Sequence, residues 1–298
     1  MTRWRTVTST CPAPMTGPSP GNAVVVGYDG TAAARAAVEL AAQEAWTRRC
    51  HLAIVAVSAG RSPAAEAHLA DLVRGMQDFG NGLSVTGHVL SGRPDAVLRR
   101  LSADACLVVI GRPEPRTAAS QPWALPLSLG ALAACPVLVA GPARGSGVSR
   151  RLVVVALPHG VSGATVLDVA ATAAVQRGAE LRCVAADGVA ADGVSGTSAA
   201  AADLVRRSID QLGSARPPAS AVVCHAEQLQ RVALAEARDA ELLVVPAPAG
   251  PGDGPLRATL LATVGCPVML VPPRLRHRRT ARAGSGAHAP ATRGLARR

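Results

Sequence analysis

Val24-Val-Val-Gly-Tyr-Asp-Gly-Thr31 is a short aliphatic run that leads into a loop with two glycines, an acid and a hydroxyl residue. Aliphatic runs of this length are typical of strands that are buried on both faces of a parallel sheet. The alanine-rich residues 32–48 follow, and they have the length and composition of a helix. The stretch therefore predicts a strand, a tight turn and a helix, which is the first unit of an α/β fold.

This unit is repeated later in the chain. Residues 24–57 align without a gap with residues 153–186, at an offset of 129 residues. Further on, Cys135-Pro-Val137 recurs as Cys266-Pro-Val268. Landmarks in the same order indicate a duplication, and in each copy aliphatic runs alternate with helical patterns. We therefore predict two tandem doubly wound α/β domains, each a five-stranded parallel sheet with helices on both faces.

The composition divides the chain into five segments. A Gly/Pro/Ser-rich connector separates the two repeats, and both ends are rich in arginine or proline and read as disordered. Within the second repeat, residues 186–202 read as a low-complexity loop. The predicted segments are a disordered arm over 1–21, a first domain over 22–142, a linker over 143–149, a second domain over 150–273 and a disordered tail over 274–298.

Charge and composition restrict the partners that we expect. The net charge is +11, but residues 274–298 alone carry eight arginines and no acid. Only 2% of the residues are aromatic, so a stacking platform for single-stranded nucleic acid is excluded. Contact with nucleic acid would therefore depend on the tail. The apolar runs are too short to span a membrane, so we predict no membrane span.

The seven cysteines indicate the compartment. They show neither a CxxC motif nor a Cys/His metal spacing; three of them lie inside apolar runs and two precede Pro-Val at predicted strand starts. The first 20 residues contain no apolar stretch typical of a secretory signal. We therefore predict buried thiols, no metal site and a cytoplasmic location.

The loop after the first strand is the first place to look for a ligand site. In an open parallel sheet, ligands bind outside the carboxyl ends of the strands, where the strand order reverses. Asp29 places a carboxylate there, which can accept hydrogen bonds from a ribose hydroxyl or an adenine amine. The local chemistry leaves a second interpretation open, in which Asp29 and Thr31 only turn the chain and cap the helix.

Four features together resemble a universal stress protein domain. They are the opening stretch 24–31, the Gly92-Arg-Pro94 turn, the run Asp104-Ala-Cys-Leu-Val-Val-Ile-Gly111 and the closing Cys135-Pro-Val-Leu-Val139. The second repeat resembles the same domain more distantly, so the chain is similar to a tandem member over residues 22–273. The resemblance implies a fold of the adenine nucleotide alpha hydrolase-like type. It also implies either a homodimer or an internal pairing of the two domains.

The resemblance further implies where an adenine nucleotide would bind. Family members that bind ATP use an acid after the first strand and a glycine-rich phosphate loop, Gly-x2-Gly-x9-Gly followed by Ser or Thr, after the fourth strand. Backbone amides in such a loop hold the phosphates. The corresponding candidate residues here are Gly27, Tyr28, Asp29, Gly30, Thr31, Val57, Gly111 and Arg112.

The phosphate loop departs from the family pattern in both repeats. In the first repeat only Gly111 is kept, because Glu114 stands at the second glycine and Trp123-Ala124 at the terminal pair. A carboxylate at position 114 would repel a triphosphate. In the second repeat the acid is lost at Pro158, and Pro255 replaces the terminal hydroxyl residue. We therefore expect no nucleotide site in the second repeat and only a partial one in the first.

These observations predict a non-enzymatic, cytoplasmic universal stress protein that acts as a regulatory or binding module. We predict no catalytic residue and no required cofactor, ATP being the one that the resemblance would allow. An alternative is an ATP-binding switch or slow ATPase that uses the first domain. A further alternative is an unrelated flavodoxin-like or receiver-like module, against which stands the lack of an acidic cluster and of any lysine.

Overall fold

The computed structural model describes residues 6–7, 23–58, 63–78, 82–113, 122–142, 150–158, 163–187, 203, 206–207, 210, 217–250, 253–273 and 275. The strands are β1 (Thr6–Val7), β2 (Ala23–Tyr28), β3 (His51–Ser58), β4 (Val85–Ser91), β5 (Leu107–Ile110), β6 (Val137–Val139), β7 (Leu152–Leu157), β8 (Glu180–Ala186), β9 (Ala219–Cys224), β10 (Leu242–Pro246) and β11 (Val268–Val271). The helices are α1 (Ala32–Arg48), α2 (Pro63–Asp78), α3 (Pro94–Leu101), α4 (Ala124–Leu132), α5 (Ala164–Arg177), α6 (Leu229–Glu236) and α7 (Gly254–Thr263).

The described strands form one eleven-stranded sheet in the order β1-β4-β3-β2-β5-β6-β11-β10-β7-β8-β9. The five strands from β4 to β6 pair in parallel, and so do the five from β11 to β9. The prediction of two five-stranded parallel sheets is therefore confirmed. The two sheets continue into each other because β6 and β11 pair antiparallel, with Leu138 opposite Met269.

Helix α1 shows how the sequence builds each layer. The Thr31 hydroxyl accepts a hydrogen bond from the Ala34 amide at 3.1 Å and so caps the first turn. Small apolar residues recur at helical spacing and form the buried face that packs on the sheet. This face comprises Ala34, Ala37, Val38, Ala41 and Ala45. Because these side chains are small, the helix can lie close to the aliphatic strands beneath it.

The duplication is visible in the backbone as well as in the sequence. The residue that caps the end of α1 is Arg49, with a left-handed φ of 52°. The residue that caps the end of α5 is Gly178, with a left-handed φ of 59°. These residues are equivalent at the offset of 129. Left-handed residues at this position close a helix by letting the next amide reach back to its last carbonyls. The two copies therefore turn from helix to strand in the same way.

The core is aliphatic and runs the length of the sheet. Every residue of β5, β6, β7, β10 and β11 is buried, as expected for strands that are covered on both faces. No helix among the described residues is long and apolar enough to cross a membrane.

Several predictions from the sequence concern residues outside the described part of the chain. These are the linker over 143–149, most of the loop over 186–202, and the tail except for Leu275. In the predicted N-terminal arm, only Thr6–Val7 is described, and it pairs antiparallel with β4, opposite Gly87 and His88. The sequence predicted no strand there. Two β-branched residues suit an extended backbone, and the edge of β4 offers them unpaired amides and carbonyls.

Candidate functional site

A cavity of about 370 Å³ lies at the carboxyl ends of β2, β3 and β5, beside the first turn of α1. This is where the strand order reverses between β2 and β5, the position at which open parallel sheets bind ligands. The structure brings all but one of the predicted site residues to its wall, Gly30 being the exception. Those that line it are Gly27, Tyr28, Asp29, Thr31, Val57, Gly111 and Arg112.

Asp29 shapes the loop and also faces the cavity. Its Oδ1 atom accepts hydrogen bonds from the Thr31 amide at 3.1 Å and the Thr31 hydroxyl at 2.6 Å. The turn between them needs Gly30, whose φ is +85°. The capping interpretation is therefore correct as far as Oδ1 is concerned. Among the described residues, none donates a hydrogen bond to Oδ2, so this oxygen is left to accept one from a ligand.

The Tyr28 hydroxyl is bound inside the protein instead of being exposed at the cavity. Its side chain is buried, and the hydroxyl shares a hydrogen bond of 2.7 Å with Nε2 of His68 on α2. The two rings also stack, with centroids 5.9 Å apart. This contact fixes the end of β2 against α2. No sequence pattern marks His68 as a partner of Tyr28, because the two residues meet only when α2 folds over the sheet.

Gly27 and Gly111 allow close packing around the cavity. A Cβ atom on Gly111 would lie 2.8 Å from the carbonyl carbon of Ala33, at the start of α1. A Cβ atom on Gly27 would lie 3.2 Å from a methyl group of Leu98 on α3. Both glycines therefore let helices approach the ends of their strands. Gly111 is the one glycine of the family's phosphate loop that the first repeat keeps. The close approach of α1 is enough to explain why a glycine is needed there.

Arg112, a candidate residue of the nucleotide site, is bound to the other half of the protein. Its guanidinium donates hydrogen bonds to the carbonyls of Val264, at 2.9 Å, and Ala262, at the end of α7. It also lies over the ring of Trp123, 5.6 Å from the centroid. Carbonyls in the last turn of a helix lack partners within the helix, and a cation satisfies them well. Burial lowers the pKa of this guanidinium.

The start of α4 offers few amides to a phosphate. Trp123 stands at the N-cap without a side-chain hydrogen bond to the helix. Pro113, which follows the strand, and Pro126, in the first turn, have no N–H group to donate. Glu114, which the sequence predicts to repel phosphate, lies outside the described residues.

The sequence did not single out the apolar part of the cavity wall. Ordinary core residues at the ends of strands and the starts of helices carry no chemical signature, so only their position next to the reversal of strand order marks them. These residues are Ala33, Ala34, Val55, Pro94, Leu98, Ile110, Pro113 and Leu125.

The corresponding loop in the second half is closed on itself. Pro246, the counterpart of Gly111, accepts a hydrogen bond of 3.1 Å from Nε of the buried Arg257. Arg257 also donates to the carbonyl of Asp253 at 3.0 Å and pairs with its carboxylate at 3.3 Å. That carboxylate accepts the Ala249 amide at 3.0 Å. Burial lowers the pKa of Arg257, and Asp253 opposes this effect. Protein groups therefore occupy the Pro246 carbonyl and the Asp253 carboxylate in the described part of this loop.

No family model matches the chain. It is 34% identical over 186 residues to universal stress protein MT3220 of Mycobacterium tuberculosis strain CDC 1551 / Oshkosh, covering 57% of this chain and 67% of that protein. The same values hold for universal stress protein Rv3134c of strain ATCC 25618 / H37Rv. The fold matches the crystal structure of a universal stress protein from Archaeoglobus fulgidus DSM 4304, with a TM-score of 0.63, 13% identity, and coverage of 85% of this chain and 99% of that one.

Proposed function

The chain belongs to the universal stress protein family, and from that premise we propose that it is a non-enzymatic stress-response module that binds the nucleoside part of an adenine nucleotide. The ligand would occupy the cavity of the first half. The second half, whose loop is closed by Arg257, would have a structural role. We place this module in the cytoplasm.

The size and lining of the cavity carry the proposal. Small-molecule sites have volumes of about 300–1,000 Å³ and mostly apolar walls with a few placed polar groups. The cavity here, at about 370 Å³, is at the small end of that range. Val55, Val57 and Leu98 supply apolar surface for a base, and Oδ2 of Asp29 supplies an acceptor for a ribose hydroxyl or an exocyclic amine.

The groups around the cavity favour a nucleoside over a triphosphate. Binding of phosphates needs several amide donors or free cations at one place. Pro113 and Pro126 donate none, and the guanidinium of Arg112 is bound to the carbonyls of α7. An ATP-dependent switch would have to recruit Arg112 away from α7. We therefore expect the phosphates of ATP to add little to its affinity.

Calorimetric titration with adenosine tests the site. Asp29→Asn keeps an oxygen for the Thr31 turn but removes the charge, so adenosine should bind about tenfold more weakly. Val57→Trp should abolish binding by filling the cavity. Asp187→Asn is the matched control, because Asp187 also accepts a backbone amide after a strand, that of Ala226, but lies in the second half. Wild-type protein that does not bind adenosine, or equal effects of Asp29→Asn and Asp187→Asn, would contradict the proposal.

The same proposal covers the assembly of the two halves. Because β6 pairs with β11 inside one chain, we propose that this internal contact takes the place of a homodimer contact between two single-domain copies. Light scattering of the purified protein should then give the mass of one chain.

A further inference from the structure

Two cysteines meet at the opposite end of the first half's sheet from the nucleoside cavity. Cys50 comes directly before β3, and Cys106 directly before β5. They lie on either side of Ala23, the first residue of β2. Ala23 pairs with His51, the first residue of β3, and its carbonyl accepts a hydrogen bond from the Cys106 amide at 2.9 Å. Their sulfur atoms are 3.6 Å apart. Two thiols are thus held in contact by three neighbouring strands.

One member of the pair is open to small reagents. Cys50 is buried, with 8% of its surface exposed, whereas Cys106 is partly exposed. Cys106 lines a second cavity, of about 270 Å³, together with Arg48 and residues of α5 such as Thr172. A small oxidant that enters this cavity would reach the sulfur of Cys106 before that of Cys50.

The second repeat shows that the pair is particular to the first. Leu107 pairs with Val24, and Leu242 pairs with Val153, so the residues before them, Cys106 and Glu241, are structural equivalents. Glu241 faces Arg177 at 3.6 Å. In the first repeat the equivalent arginine is Arg48. The position beside the helix-terminal arginine therefore holds an anion in one copy and a thiol in the other.

These surroundings act on the reactivity of Cys106 in opposite directions. The hydrogen bond with Cys50 and burial raise the pKa of the Cys106 thiol, while the charge of Arg48 lowers it. The thiolate is the form that attacks an oxidant. Oxidation of Cys106 should therefore be slow at neutral pH and faster at higher pH.

We propose that Cys106 and Cys50 are a redox-active pair that peroxide converts into a reversible disulfide. The Cys106 thiolate attacks one peroxide oxygen, the O–O bond breaks, and Cys106 becomes a sulfenic acid while the other oxygen leaves as water after taking a proton. The Cys50 sulfur then attacks the sulfenic sulfur and releases a second water. Two thiols and one hydrogen peroxide thus give one disulfide and two waters, and an added dithiol reverses the oxidation.

Closing the disulfide needs the side chains and the local backbone to move. A disulfide has a sulfur–sulfur distance of about 2.05 Å, so the two atoms have to approach by roughly 1.5 Å. Because β2 lies between β3 and β5 and neighbouring strands are about 4.7–4.9 Å apart, the residues that precede β3 and β5 must also draw together, since a disulfide joins Cα atoms about 4.4–6.8 Å apart. The bond would tie the starts of β3 and β5 together beneath β2.

Peptide mapping of the full chain after treatment with hydrogen peroxide tests the proposal. Without reduction, trypsin should release residues 50–61 linked to residues 101–116, lighter by two hydrogen atoms than the separate peptides. Dithiothreitol should remove the link. The linked pair should form in Cys183→Ser, whose thiol is buried in β8 of the other half, and should be missing from Cys50→Ser and Cys106→Ser.

A sulfenic-acid probe shows which of the two cysteines is oxidised first. In Cys50→Ser, peroxide should leave a sulfenic acid that dimedone labels at Cys106, whereas in Cys106→Ser the buried Cys50 should stay unlabelled. The circular dichroism of each variant shows whether it is folded. Peroxide-treated wild-type protein with no 50–106 link, or with Cys106 linked only to Cys135 or Cys224, would overturn the proposal.

Discussion

Single residues around the first-half cavity both shape the fold and line the cavity. Asp29 turns the chain with one carboxylate oxygen and presents the other to the cavity. Gly111 stands at the end of β5 and lets α1 approach to within contact of the strand. These residue types are therefore needed for folding even where no ligand is bound, so their presence in the sequence cannot by itself distinguish a binding site from a turn.

Gly111→Ala tests the packing role of this glycine. Its new methyl group would lie 2.8–2.9 Å from backbone atoms of Ala33 and Ala34, which cannot rotate away. We expect a loss of about 1–3 kcal/mol in the free energy of unfolding, as for other overpacked sites. Urea denaturation measures it.

Gly75→Ala is the matched control for that substitution. Gly75 lies in the interior of α2, and a Cβ atom there meets nothing within 4 Å. Alanine should therefore stabilise the protein by roughly 0.5–1 kcal/mol through its helix propensity. If both variants changed stability in the same direction, the close approach at Gly111 would be wrong.

At the scale of elements, α1 and α5 are joined by a buried ion cluster. Glu44 on α1, only 4% exposed, pairs with Arg48 on its own helix and with Arg177 on α5. Arg48 and Arg177 are equivalent in the two repeats, whereas the counterpart of Glu44 is Ala173. One carboxylate is therefore shared by two cations that occupy equivalent positions in the two repeats. Burial, and then the charge of Arg177, lower the pKa of Arg48 to about 10.

Glu44→Gln should destabilise the protein by about 3–5 kcal/mol, because it leaves the guanidinium of Arg48 without its carboxylate and Arg177 with only the more distant Glu241. Asp71→Asn breaks the exposed pair of Asp71 with Arg74 and should change stability by at most about 1 kcal/mol. Adding Arg177→Gln to Glu44→Gln should recover part of the loss, since it removes one of the two like charges. Equal effects of Glu44→Gln and Asp71→Asn on the urea midpoint would show that the cluster does not join the helices.

The elements themselves were largely predictable from the sequence. The aliphatic run that opens at Val24 predicted β2, and the alanine-rich stretch 32–48 predicted α1 at its observed bounds. The antiparallel pairing of β6 with β11 was not predictable from the residues, because the same aliphatic pattern suits a strand paired on either side. The binding of Arg112 to α7 was missed for a related reason, since its acceptors are backbone carbonyls that no side-chain pattern reveals.

At the scale of the whole molecule, the two halves share one sheet and should unfold together. They are connected by the β6–β11 ladder, by the Glu44 cluster and by Arg112. We expect a single transition in urea, with the same midpoint for tryptophan fluorescence, since all three tryptophans precede residue 124, and for alkylation of the buried Cys183 in the second half. Two separated midpoints would show that each half is stable alone.

We propose that the first-half cavity recognises a nucleoside and lacks the groups needed to hold a triphosphate. Titration calorimetry of the wild-type protein with adenosine and with ATP, under the same conditions, tests this proposal. We predict dissociation constants that agree within a factor of about three, a difference well below the 1.4 kcal/mol that corresponds to tenfold. ATP binding that is tenfold or more tighter than adenosine binding would contradict the claim.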